Sequence, residues 1–164
     1  MLKDVLHKDL KIVFCGTAKG TASVTKGFYY AGSGNQFYKI LFNANFTDSL
    51  LIPDNCYDIY KFGIGLTDLV HNQHGNDNEI NESNYNVKGF IDKINKFKPK
   101  YIGFNGKKAA SYVLGLEGKT GKVQYGLQTQ KIKETKLFVL PSTSGSARKY
   151  WDEAYWKELA TYII

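Results

Sequence analysis

Of the 22 lysine and arginine residues only one, Arg148, is arginine, and it directly follows Ser144-Gly145-Ser146-Ala147. A guanidinium is a planar fork of donors suited to bidentate phosphate contact and to groove insertion. The placement points to a nucleic-acid partner; the alternative is a surface arginine capping the helical segment that follows. Ser142, Ser144 and Gly145 in the same stretch add hydroxyl and amide donors for a base or a phosphate. A second loop of small residues, Gly16 to Gly20, ends the apolar run that begins at Lys11, as the serine-rich loop ends the run Leu137–Leu140. Continuous apolar runs read as buried parallel strands, and loops at the carboxyl ends of such strands form the ligand crevice of open α/β sheets. The two loops are therefore expected to wall one site.

The elements that must position these loops alternate along the chain. Strands are predicted at Lys11–Cys15, Tyr101–Phe104 and Leu137–Leu140, with a weaker one near Phe62–Leu66. Phe37, Ile40, Leu41 and Ala44 recur at helical spacing, as do Val87, Phe90, Ile91, Ile94 and Phe97. Further helices are predicted through Lys107–Leu114 and near Trp151–Tyr162. Between them His71–Asn86, rich in asparagine, reads as a long polar loop. Alternating strands and helices predict an α/β fold, a three-layer sandwich around a short, mostly parallel central sheet. No repeat or domain boundary interrupts residues 1–164, so a single domain is expected.

Composition limits the chemistry. A net charge of +7 and a pI near 9.2 suit a polyanionic partner, although lysine, asparagine and tyrosine richness from a biased genome would give the same balance. Cys15 lies in an apolar strand and Cys56 in a distant polar segment, which makes neither a disulfide framework nor a zinc or iron–sulfur site. His7, His71 and His74 are too scattered for a metal cluster. No apolar stretch approaches ~18 residues, and Met1 to His7 has no signal-peptide core. A soluble, cytoplasmic protein with no membrane partner is the expectation. Gly16–Gly20 is a poor phosphate loop, because it lacks the Gly-Lys-Ser/Thr ending that nucleotide-phosphate chemistry requires.

Five blocks in order carry a resemblance: Val-Phe-Cys-Gly-Thr-Ala-Lys-Gly (13–20), Gly-Phe-Tyr-Tyr-Ala-Gly-Ser-Gly-Asn-Gln-Phe-Tyr-Lys (27–39), Gly-Ile-Gly-Leu-Thr-Asp-Leu-Val (63–70), Gly-Lys-Lys-Ala (106–109) and Val-Leu-Pro-Ser-Thr-Ser-Gly-Ser-Ala-Arg (139–148). Together they resemble the mismatch-specific uracil/thymine-DNA glycosylases of the uracil-DNA glycosylase superfamily, over nearly the whole chain. The resemblance implies a monomeric enzyme, without metal or cofactor, that flips uracil or another deaminated base out of DNA and cuts its N-glycosidic bond in base excision repair. Such an enzyme needs a pocket, an aromatic platform, a wedge for the vacated stack and grips on phosphate.

On this resemblance Tyr30 is the platform, and Thr17, Ala18, Gly20, Asn35 and Ser142 surround the base. Gly145-Ser146-Ala147-Arg148 is the wedge loop; Ser146 and Ala147 are small for wedges, so Arg148 and the backbone are expected to do more of the holding. Lys107 and Lys108, at a helix start, are further candidate phosphate ligands with Ser144. Three positions depart from the family pattern. Ala18 stands where the family keeps an Asn or Asp that positions water, and alanine cannot polarise water. Asp68 stands where the mismatch enzymes tend to have lysine, and its carboxylate could orient water or stabilise an oxocarbenium-like sugar; the competing reading is a helix cap. Ser142 replaces the usual Asn, which widens the pocket's selectivity towards hypoxanthine or xanthine. The other function class that fits is a catalytically degenerate glycosylase fold that binds DNA or damaged bases without cleavage.

Overall fold

The apolar runs form strands because they are covered on both faces. In a computed structural model, which describes residues 2–163, β1 (Ile12–Gly16), β2 (Ile64–Asp68), β3 (Tyr101–Asn105), β4 (Gly126–Ile132) and β5 (Thr135–Leu140) build one sheet in the order β2-β1-β3-β5-β4. The β1–β2, β1–β3 and β3–β5 pairs are parallel, and β4 joins β5 antiparallel at the edge. The helices are α1 (Thr21–Lys26), α2 (Phe37–Asn43), α3 (Val87–Phe97), α4 (Lys107–Val113) and α5 (Glu153–Ile163).

Side chains alternate across a strand, so β1 divides between two cores. Ile12 and Phe14 pack with Phe37 and Leu41 of α2 and Trp156 and Leu159 of α5. Val13 and Cys15 pack on the other face with Phe90 and Ile94 of α3 and Ala109 and Ala110 of α4. The result is the expected three-layer α/β sandwich around a mostly parallel sheet. Trp156 stacks on Phe14 and its indole N–H donates to the Pro141 carbonyl at 3.0 Å, which ties α5 to the loop after β5.

Some departures from expectation have local reasons. The second strand starts at Ile64 rather than Phe62, because a 3-10 segment at Pro53–Phe62 ends in a left-handed Gly63 (φ 77°) and only then does the chain extend. The edge strand β4 is not foreseen: Leu127 to Lys131 is half-buried or exposed, so it carries no apolar run. Helix α5 begins at Glu153, after Trp151, and the Asp152 carboxylate accepts from the Ala154 N–H at 2.9 Å. The polar stretch after β2 is a loop containing two short 3-10 turns at Asp77–Glu79 and Glu82–Asn84. Cys15 and Cys56 are both buried free thiols. Among the described residues, no helix is long and apolar enough to cross a membrane.

Candidate active site

Parallel pairing aligns the carboxyl ends of the strands, which places Gly16 beside Asp68 and Asn105 beside Leu140 in register. The loop after β1 then folds against the segment after β2: the N–H groups of Leu69, Val70 and Gly75 donate to the carbonyls of Gly16, Thr17 and Lys19. Thr17 adds a hydroxyl hydrogen bond to the Asp77 carboxylate at 2.5 Å. These ties carry Lys19 inward until it is only 4% exposed, with its ammonium 2.9 Å from Oδ2 of Asp68, itself 3% exposed. Asp68 lies at the end of β2 and heads no helix, so the capping role finds no support in its position.

Burial of an ion pair is costly unless the partners compensate each other. Burial pushes the Asp68 carboxyl above its ordinary value of 3.8, and the Lys19 charge pulls part of the way back. The ammonium also lies 5.1 Å from the centroid of the Tyr29 ring. Gly16 makes the arrangement possible: a Cβ there would stand 2.8 Å from Oδ1 of Asp68 and 3.6 Å from the Tyr30 hydroxyl. Absence of a side chain at Gly16 thus lets a carboxylate and a phenol meet over the end of β1.

Tyr30 sits in the left-handed region (φ 54°), and its ring stacks on Phe37 with centroids 4.0 Å apart and planes 28° apart. One face of the ring is thereby backed by the core, as a platform requires. Asn35 accepts from the Phe37 N–H at 3.0 Å and so braces the loop that holds Tyr30 at the start of α2. Among the described residues the buried Tyr30 hydroxyl has no hydrogen-bond partner of good geometry, although Asn105 lies near it. Burial, and secondly the negative field of Asp68, push its pKa well up, so the ring is a neutral phenol.

The loop after β5 is fastened from β3. Asn105 donates to the Thr143 hydroxyl and accepts from the Thr143 N–H, both at 2.9 Å, while the Gln36 N–H donates to the Thr143 carbonyl. Ser142 accepts from the Ser144 N–H at 3.2 Å. Gly145–Tyr150 is a 3-10 turn at the cleft mouth. Lys107 and Lys108 start α4 as expected, but their ammonium groups lie over rings, 4.4 Å from Tyr125 and 5.6 Å from Tyr112.

A cleft of about 1020 Å³ joins these groups. Its wall includes Thr17, Ala18, Gly20, Tyr30, Asn35 and Asp68 on one side, and Lys107, Lys108, Ser142, Ser144, Gly145, Ser146 and Ala147 on the other. Arg148 is the exception. Its side chain is exposed and lies outside the wall, with a guanidinium nitrogen 3.4 Å from where a Cβ of Gly34 would be. It stands at the lip, where it can meet a strand's backbone rather than a base in the pocket.

A profile of the Uracil DNA glycosylase superfamily matches residues 4–161. The chain belongs to this superfamily. The fold is also that of a candidate uracil DNA glycosylase from Methanosarcina acetivorans, determined by solution NMR, at 24% identity with a TM-score of 0.67; the match covers 99% of this chain and 96% of that one. Membership carries a DNA glycosylase-like function acting on DNA.

Among the residues of this superfamily member's cleft that sequence reasoning missed are Asn105, Tyr150 and Lys19. Asn105 had a usable signal, since it directly follows the predicted strand Tyr101–Phe104 and the carboxyl ends of such strands form the crevice. Tyr150 follows the recognised loop by two residues and is one of 12 tyrosines. Lys19 lies in the Gly16–Gly20 loop, but nothing local marks it for burial, which comes from hydrogen bonds to a segment some 50 residues away.

Proposed function

We propose that the protein is a monofunctional DNA glycosylase of base excision repair, related to the mismatch-specific branch, that flips uracil or another deaminated base and hydrolyses its N-glycosidic bond. We take residues 1–164 as one domain that works as a monomer in the cytoplasm and needs no cofactor. The observation that carries this reading is the Asp68 carboxylate in the cleft beside the one-sided Tyr30 platform. As the base leaves with the bonding electrons, positive charge develops on the sugar, and a fixed carboxylate stabilises it. The same oxygen can accept the proton of the attacking water, help worth about 10²–10⁴-fold, which Ala18 cannot give. The Lys19 charge offsets part of the cost of burying that carboxylate.

The other groups bind and position. Ser142, donor and acceptor at once, faces the edge of the base and tolerates hypoxanthine or xanthine as well as uracil. Arg148 and the loop amides grip the backbone. Arg148→Ala is expected to weaken duplex binding and to flatten the plot of log affinity against log salt by about one unit. Unchanged affinity and slope would make Arg148 an ordinary surface residue.

Purified protein incubated with oligonucleotides bearing uracil, hypoxanthine or xanthine, then treated with alkali, tests the whole reading. Abasic sites are expected on at least one of them, and chelator should not abolish their formation, since among the described residues no three His, Cys, Asp or Glu side chains converge to hold a metal. If none forms at enzyme excess while DNA is still bound, the protein is a binding module on a glycosylase fold.

A further inference from the structure

Tyr150 is the most exposed large apolar side chain among the described residues, at 59%, yet it lines the cleft together with Ser146 and Ala147. An exposed aromatic at the rim of a cleft gains by covering its ring with a flat apolar partner. The Lys149 ammonium stands 4.9 Å from the centroid of its ring, a cation–π arrangement that occupies one face. A wedge inserted into a duplex needs both faces covered by bases, so this ring is built for one partner. Tyr30 has the same construction deeper in the same cleft, with Phe37 behind it. Tyr125, also on the wall, carries the Lys107 ammonium over its ring and packs on Tyr155. Basic groups interleaved with rings are the surface that binds single-stranded nucleic acid, because every base has a π face.

We propose that Tyr150 is a second base platform, stacking the nucleobase adjacent to the one that Tyr30 receives, so that the cleft holds two consecutive bases of one strand. This rests on the glycosylase reading above. Stacking needs no complementary strand, so lesions in single-stranded DNA are bound as well as those in duplex. The small Ser146 and Ala147 leave the mouth open for the second base.

The test is a thermodynamic cycle on a fluorescently labelled single-stranded oligonucleotide containing 2′-fluoro-2′-deoxyuridine, which resists cleavage. Affinity is measured by anisotropy for the wild type, Tyr150→Ala and Tyr150→Phe, on strands with normal neighbours and on strands with one neighbouring base replaced by an abasic tetrahydrofuran. On the normal strand Tyr150→Ala should weaken binding on the order of tenfold and Tyr150→Phe should restore it. On the strand lacking the stacked neighbour the wild type should already be weak, and the alanine variant should add less than about twofold. Equal losses on every strand, or no loss, would overturn the platform while leaving the glycosylase reading intact. A wild type that neither binds these strands nor excises uracil would overturn both.

Discussion

Asp68→Asn should lower the single-turnover rate of base release at least tenfold and destabilise the fold by about 3–5 kcal/mol, because it leaves the Lys19 ammonium buried without its counter-charge. The two effects are separable. Replacing both partners, Lys19→Gln with Asp68→Asn, removes the unpaired charge and should recover most of the lost stability by thermal or denaturant unfolding, while base release stays slow. Recovery of both together would show that Asp68 is structural. If Asp68 supplies the help that Ala18 cannot, Ala18→Asn in the Asp68→Asn background should restore part of the rate. The acid limb of the rate profile carries the same signature. Burial raises the Asp68 carboxyl from its ordinary value of 3.8, so activity should fall as pH drops through that raised pKa. An acid limb unchanged in Asp68→Asn would remove the carboxylate from the rate-determining chemistry.

Tyr30→Ala should reduce single-turnover excision about 10- to 100-fold, with a smaller loss of duplex affinity, since the stacking it removes acts on the flipped base alone and is worth about 1–3 kcal/mol. The substitution also takes the stacked partner from Phe37, so unfolding must be followed alongside. Tyr30→Phe separates the ring from its hydroxyl. That hydroxyl is buried without a partner of good geometry among the described residues, and deleting an unsatisfied polar group is neutral or stabilising. The phenylalanine variant should therefore excise at close to the wild-type rate and be at least as stable. An alanine variant with full activity would remove Tyr30 from the site; a slow phenylalanine variant would mean that the hydroxyl meets the base.

The chain's local chemistry determined the scaffold and the location of its cleft. Ile12 to Cys15, Ile102 to Phe104 and Leu137 to Leu140 are apolar without alternation, which only a strand covered on both faces can use, and the small residues after them can only be loops at its carboxyl edge. Position within ordered blocks marked out Tyr30, Asn35, Asp68 and Ser142, and the fold gathers all four. What tertiary structure alone decided are matters of burial and direction. β4 is a strand because the edge of β5 offers it hydrogen bonds, not because its side chains are apolar. Arg148 has the chemistry of a site residue, yet its backbone turn points it to the lip. Asp68 could cap a helix or face a ligand as far as its neighbours in sequence reveal; the register that sets it beside Gly16 chooses. Lys19 is chemically one lysine among many, and only the hydrogen bonds between two loops distant in sequence enclose it with a carboxylate, since burial belongs to the assembled chain and not to any residue in it.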